Sequence, residues 1–424
     1  MIRYLKTFSL YTLVGVINAG ISFLLLPILT RSLEPGDYGV ISLVNVYVSV
    51  LMPIVGLSTA GLISVEYYNK GLSRPEFKSL FSSVRLIPVI GILVFLLIFL
   101  AGQSFLPKLM ELPIQAYWAV IPLTLFSLIA SNFSTFLVAS KKAGVFTGTT
   151  FLKILFEIAL TLLFVVVLNY HWQGRILSAL LAAVLITGVS VYYYKKWDFL
   201  AWDIRKVYVM QAIVFGAPLI LHQIGKFVIN QSDRLFLAKM VSVEEMGIYS
   251  VGYQVGSIIL ILVTAFSNFF SPFLYERLAK NTDKAKQEIV KVSYVFLAGV
   301  LLALLVLQLV VPLLFDWFID QRYKSGIRYV FWVGLGYFFW GIYTIFSGYI
   351  FFSKKTKILA WLALVNVFLN ILFNYFFIQK FGPLGAAYAT CLSYFIVAVA
   401  VVIIVSGIYR MPWFTTPLFK KSVR

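Results

Sequence analysis

Two apolar stretches of this chain carry ionisable side chains at helical spacing, and a third repeats the pattern with amides. His222, Lys226, Asn230 and Asp233 fall at i, i+4, i+8 and i+11, one face of a helix, with Arg234 beside it. Thr149, Lys153, Glu157 and Thr161 form a second one-faced stripe, and Asn366, Asn370 and Asn374 a third. A charge at membrane depth costs at least about 2.5 kcal/mol on insertion scales, so it normally faces a wet cavity or a partner. Lys226 therefore reads as an anion-attracting group on a polar wall, or as one half of a structural pair with Asp233. Asp233 and Arg234 fit either role. His222 reads first as an interhelical hydrogen bonder and second as a proton relay. Lys153 and Glu157 lie roughly 10 and 16 Å deep, one turn apart, where they can neutralise each other or face the lumen.

The elements that must hold these residues are transmembrane helices. Of 424 residues, 61% are hydrophobic and 12% charged, against about 25% charged in soluble proteins. Twelve spans are expected, at about 9–32, 40–65, 84–105, 116–139, 146–168, 175–194, 209–238, 247–271, 292–314, 329–352, 358–378 and 385–407. The first reads as a retained span rather than a cleaved leader. Cys391 stands alone, so no disulfide framework is expected.

The second half repeats the first. Leu29-Thr-Arg-Ser-Leu-Glu-Pro-Gly-Asp-Tyr-Gly39 returns as Leu237-Ala-Lys-Met-Val-Ser-Val-Glu-Glu-Met-Gly247, and Ser140-Lys-Lys142 as Ser353-Lys-Lys355. In that register Lys153, Glu157 and Thr161 match Asn366, Asn370 and Asn374, and Asn18 matches Lys226. The fold expected is all-α and integral to the membrane. Residues 1–194 and 209–424 would be six-helix bundles related by a parallel repeat, with 195–208 a cytoplasmic, amphipathic linker. Polar residues at matching depths place a transporter's site between such halves.

Basic residues set the orientation. Twenty-four of the 35 Lys and Arg fall in alternate connections that include both termini, and nine in the others. The positive-inside rule then puts both termini in the cytoplasm. This charge of +19 is a topology signal spread over loops, and nucleic acid is not an expected partner. No phosphate-cradling Gly-Lys-Ser/Thr loop, metal-ligand cluster or large external loop appears, so neither an enzyme nor a bound cofactor or metal is expected. Coupling to H+ or Na+ stays open, with Glu157, Asp233 and His222 the ion-coupling candidates.

The segment Phe215-Gly-Ala-Pro218 through Ser232-Asp-Arg234 to Gly247-Ile-Tyr-Ser250 resembles the seventh and eighth spans of polysaccharide flippases. Leu29-Thr-Arg31-Ser-Leu and Asp37-Tyr-Gly39 resemble that family's opening, and Lys380-Phe-Gly-Pro-Leu-Gly-Ala-Ala387 its approach to the last span. The chain is similar to the multidrug/oligosaccharidyl-lipid/polysaccharide (MOP) exporters, in the polysaccharide branch, and resembles Wzx-type O-antigen flippases. The resemblance implies two bundles in a V, as in MATE transporters, that alternate between inward-open and outward-open states. It implies a polyprenyl diphosphate carrying an oligosaccharide as substrate, turned toward the periplasm across the bacterial inner membrane. It also implies a cationic lumen, which Lys226, Lys153, Arg234 and Arg31 would supply. Asn18, Asn230, Asn366, Asn370, Asn374 and Gln254 would offer hydrogen bonds to the sugar. Membrane lipid and other polysaccharide assembly proteins are the expected partners. The competing readings are an ion-coupled drug or metabolite antiporter of the same superfamily, a membrane polymerase or ligase, and a passive scaffold.

Overall fold

A hydrocarbon interior leaves a backbone no water to bond, so a chain this apolar must satisfy its peptide groups internally. The computed structural model describes residues 23–69 and 71–413, which are helical with no strand among them. In chain order the helices begin with α1 (Phe23–Ser32), α2 (Pro35–Gly56), α3 (Thr59–Glu66), α4 (Arg74–Val84) and α5 (Leu86–Ala101). There follow α6 (Leu106–Leu109), α7 (Ile114–Ala139), α8 (Ala143–Thr161), α9 (His171–Lys196) and α10 (Lys206–Met240). The last six are α11 (Val243–Gly256), α12 (Ile258–Lys280), α13 (Asp283–Trp317), α14 (Ile327–Phe352), α15 (Thr356–Phe381) and α16 (Leu384–Ile408).

Among the described residues, ten segments are long and apolar enough to cross a membrane, and α10 makes eleven. Most of the expected first span lies outside those residues, Asn18 with it; its last turns form α1. Packing divides the chain after Gly247 into two compact units, so α10 counts with the first. The division expected at the linker 195–208 rests on the sequence repeat, a separate matter from packing.

Several spans are broken where the sequence carries proline or polar residues. The second expected span stops at Leu57 and Ser58, both left-handed (φ 45° and 51°), and resumes as α3. Gln223 Nε2 donates to Ser58 Oγ at 2.6 Å, and Asn132 Nδ2 to Thr59 Oγ1 at 3.4 Å. The break is thereby tied to α10, which bends by 42° between Lys206–Ile220 and Gln223–Met240, just past Pro218. The third span pauses at Arg85. Pro88 has no N–H to return to the carbonyl one turn back, and α5 starts afresh at Leu86.

The linker is stitched to α4. Ser79 Oγ donates to the Asp203 carbonyl at 2.8 Å, while Ser82 and Ser83 accept from the backbone N–H of Ala201 and Arg205, each at 2.9 Å. Lys78 donates to Asp198 at 2.6 Å, and that bond holds the carboxyl below its usual range. Trp202 remains almost wholly exposed beside these anchors. Beneath them Phe81, Phe133, Phe136 and Tyr194 pack as the aromatic core of the first unit. In the second unit α14, α15 and α16 pack together, and Ile345, Tyr349, Val397 and Val401 lie at the centre. Gly382, with φ +59° and ψ −146°, turns α15 toward α16 in a conformation open only to glycine.

The duplicated glycines have a shared purpose. A Cβ on Gly39 would overlap the Val243 backbone oxygen, and one on Gly247 would overlap that of Pro35. The first turns of α2 and α11 therefore cross at backbone contact. Gly39→Ala and Gly247→Ala should each destabilise the protein by about 2 kcal/mol or more, seen as earlier thermal unfolding in detergent. Gly36→Ala, where nothing lies within 4 Å, should be silent; equal behaviour of all three would refute the crossing.

Candidate functional site

The charges of α8 are sorted by its hairpin with α9. Between them lie a π-helical stretch, Leu162–Val167, and a short connection, so Glu157 and Arg175 stand on the two arms of one hairpin. Arg175 Nη2 donates to Glu157 Oε1 at 2.7 Å, with side chains only 18% and 15% exposed. Lys153 Nζ sits farther away, 4.0 Å from Glu157 Oε2. The expected Lys153–Glu157 neutralisation is thus mostly performed by Arg175. The sixth span was expected to begin at Arg175; the helix starts four residues earlier, at His171, and carries the arginine into the bundle. A basic residue just across a tight helical hairpin from a buried acid was the available signal.

Lys153 instead lines a cavity of about 420 Å³ whose walls include Ser127, Ser131, Ser134, Thr149 and Thr150. Thr149 and Thr150 donate their hydroxyl protons to carbonyls one turn back, at 2.8 Å each, and Ser134 does so at 3.1 Å. Their oxygens thus present lone pairs to the cavity. The result is an ammonium in a pocket of acceptors, suited to water and to hydroxylated ligands.

Along α10 the polar stripe grades from open to closed. Lys226 is exposed and has no carboxylate partner among the described residues. Asn230 is half-buried and donates to the Lys226 carbonyl at 2.7 Å. Asp233 and Arg234 are enclosed, 3% and 9% exposed. Asp233 Oδ1 accepts from the Arg234 backbone N–H at 2.8 Å and from its guanidinium at 3.3 Å, and the guanidinium also reaches the Asn230 carbonyl at 3.2 Å. The stripe drawn as a single wall is therefore exposed at Lys226 and sealed at Asp233. The His222 side chain lies outside the described residues, as does Asn18. Arg31 is exposed at the end of α1.

The third stripe is closed. Asn366, Asn370 and Asn374 are 2%, 1% and 0% exposed. Asn374 Nδ2 donates to the Asn370 carbonyl at 2.9 Å and its side-chain oxygen at 3.0 Å. Both bonds lie within α15, so in this structure the asparagines form a buried face rather than an open wall. Gln254 is half-buried on α11. Among the described residues no group of His, Cys, Asp and Glu is arranged to hold a metal.

Residues 4–272 match the family described as polysaccharide biosynthesis protein, and residues 218–376 match the MatE family. The chain belongs to the polysaccharide biosynthesis protein family. Two proteins of Haemophilus influenzae are similar along most of their length. One is an uncharacterised membrane protein, 27% identical over 87% of this chain and 88% of its own. The other is Lsg locus putative protein 1, 22% identical over 86% and 88%. Among solved structures, the lipid II flippase MurJ in an inward closed conformation superposes with a TM-score of 0.74, at 14% identity over 96% of this chain and 88% of that one. An inward-facing MATE-family multidrug resistance transporter gives 0.71 at 12% identity, over 92% and 95%. The fold is the one these transporters share, and its apolar helices make this family member a multi-pass membrane protein.

The Glu157–Arg175 pair is testable by a double-mutant cycle. Arg175→Gln leaves a half-desolvated carboxylate and should cost about 3 kcal/mol, while adding Glu157→Gln should restore roughly 2 kcal/mol of it. Additive losses in thermal unfolding would mean that the two side chains act independently.

Proposed function

We propose that this transporter is a flippase for a polyprenyl-diphosphate-linked oligosaccharide, carried from the cytoplasmic to the periplasmic leaflet by alternating access. One observation supports this above the rest. The membrane-depth acids Glu157 and Asp233 each sit against an arginine, whereas Lys226 has no carboxylate and Lys153 only a 4.0 Å contact with one. The surplus is cationic. Lysines in a hydrated, low-dielectric setting attract a diphosphate strongly, and that group cannot enter hydrocarbon alone.

The hydroxyl-rich pocket beside Lys153 suits the sugar, whose hydroxyl protons would meet the exposed acceptor lone pairs. Membership in a polysaccharide biosynthesis family and likeness to a lipid II flippase point to the same class of cargo. An antiporter of cationic drugs would instead require a carboxylate presented to its cargo, and Glu157 is engaged by Arg175. Such a protein would sit in the bacterial inner membrane with both termini in the cytoplasm, as the basic connections require, alongside other polysaccharide assembly proteins. Proton or sodium coupling through Asp233, Glu157 or His222 would supply the driving force.

Lys226→Ala should lower translocation roughly tenfold or more, the value of losing one charge-assisted phosphate contact. Translocation can be read in proteoliposomes as glycan exposed to a membrane-impermeant glycosidase. Lys153→Ala should lower it less, because Lys153 is shared with Glu157. Wild-type flux in Lys226→Ala, at equal protein insertion, would remove this lysine and with it the electrostatic argument.

A further inference from the structure

Arg85 lies outside every residue assigned above to transport. It occupies the pause between α4 and α5, directly before the sixteen-residue apolar run Leu86–Ala101. Its guanidinium carbon stands 4.4 Å from the centroid of the Tyr194 ring and 5.5 Å from that of Phe81. Arg74, Arg175, Arg205, Arg234, Arg277 and Arg322 each hold a carboxylate. Arg85 holds none among the described residues, and none of its five N–H donors makes a hydrogen bond there.

The guanidinium opens into a cavity of about 80 Å³, walled by Phe81, Phe136, Tyr194, Pro88 and Ile129. Apart from the Tyr194 hydroxyl, Arg85 and Asn132 are the polar side chains lining it, and no acid reaches it. Asn132 spends one Nδ2–H on a long bond to Thr59 and keeps the other. The aromatic contacts use none of the N–H donors of the guanidinium fork. That fork matches the paired oxygens of a phosphate. The space is about that of two or three waters, enough for one phosphoryl group.

We propose that Arg85 and Asn132 bind a phosphate oxyanion. Two positions favour that anion. The apolar run starting at Leu86 places Arg85 at the edge of the hydrocarbon, on the side that the basic connections assign to the cytoplasm. Val89 and Ile90, one turn into that run, are 41% and 53% exposed, so the cavity has a neighbour open to lipid. The phosphate is then that of a phospholipid head group, or a soluble phosphate entering from water.

Thermal unfolding of the full chain separates these sources. In one arm the protein is held in neutral detergent with inorganic phosphate or with chloride at equal ionic strength. In the other it sits in nanodiscs of phosphatidylcholine with or without phosphatidylglycerol. Wild-type protein should gain about 3 °C in at least one arm. A gain with phosphatidylglycerol alone identifies the lipid head group, and one with inorganic phosphate identifies the soluble anion. Arg85→Gln should abolish the gain and Arg85→Lys should keep only part of it, since an ammonium lacks the fork. Asn132→Ala leaves the aromatic stack intact and should halve the gain, which covers the case in which Arg85→Gln fails to fold. No gain in wild type, or an equal gain in wild type, Arg85→Gln and Asn132→Ala, overturns the site.

Discussion

A charge in hydrocarbon must find an opposite charge, water or a ligand, and that constraint organises most of what is distinctive here. Glu157 takes Arg175, and Asp233 takes Arg234, so both membrane-depth acids are engaged within the first unit. Once those pairs form, Lys226 and Arg85 have no carboxylate among the described residues and Lys153 only a 4.0 Å contact. Lys226 faces outward from α10, Lys153 lines a hydroxyl-walled cavity, and Arg85 rests on aromatic rings. Each needs water or an anion. The electrostatic character of the first unit comes from this surplus of positive charge, more than from any single side chain.

Backbone geometry follows from the same scarcity of water. Two breaks in the described spans coincide with polar side chains that bond across helices or with a proline that lacks an N–H. Ser58 and Thr59 at the α2–α3 break accept from Gln223 and Asn132. The serines of α4 hold the linker by bonding its peptide groups directly. A continuous mechanical chain thus runs from the linker through α4 to the aromatic core, and the bent helix α10 follows immediately after it.

The internal repeat has diverged in chemistry while keeping its architecture. Gly39 and Gly247 remain because two helices cross where a Cβ would meet a carbonyl. At the matching depth of α8 and α15 the first half carries Lys153 and Glu157, while the second carries Asn366 and Asn370. The charged version opens to a cavity, and the amide version is buried. A duplicated helix retained its polar face, yet only one copy kept a net charge to place.

The all-helical membrane fold, the positions of most spans and the polar stripes were all legible along the chain. Hydrophobic runs and periodicity are local, and lipid leaves few other structures for such a chain. Pairing was not legible, because it depends on which helix lies opposite. Lys153 looked like the partner of Glu157 at one helical turn, but the α8–α9 hairpin brought Arg175 closer. The asparagine stripe looked like an open wall because periodicity gives a face without saying what covers it. Nothing in the sequence near Arg85 announced that Phe81 and Tyr194, 113 residues apart, would close around it. Sequence by itself determined which side chains must avoid lipid; tertiary structure alone decided which of them met a counter-charge and which were left for a ligand, since Coulomb energy depends on distances across helices that no local pattern encodes.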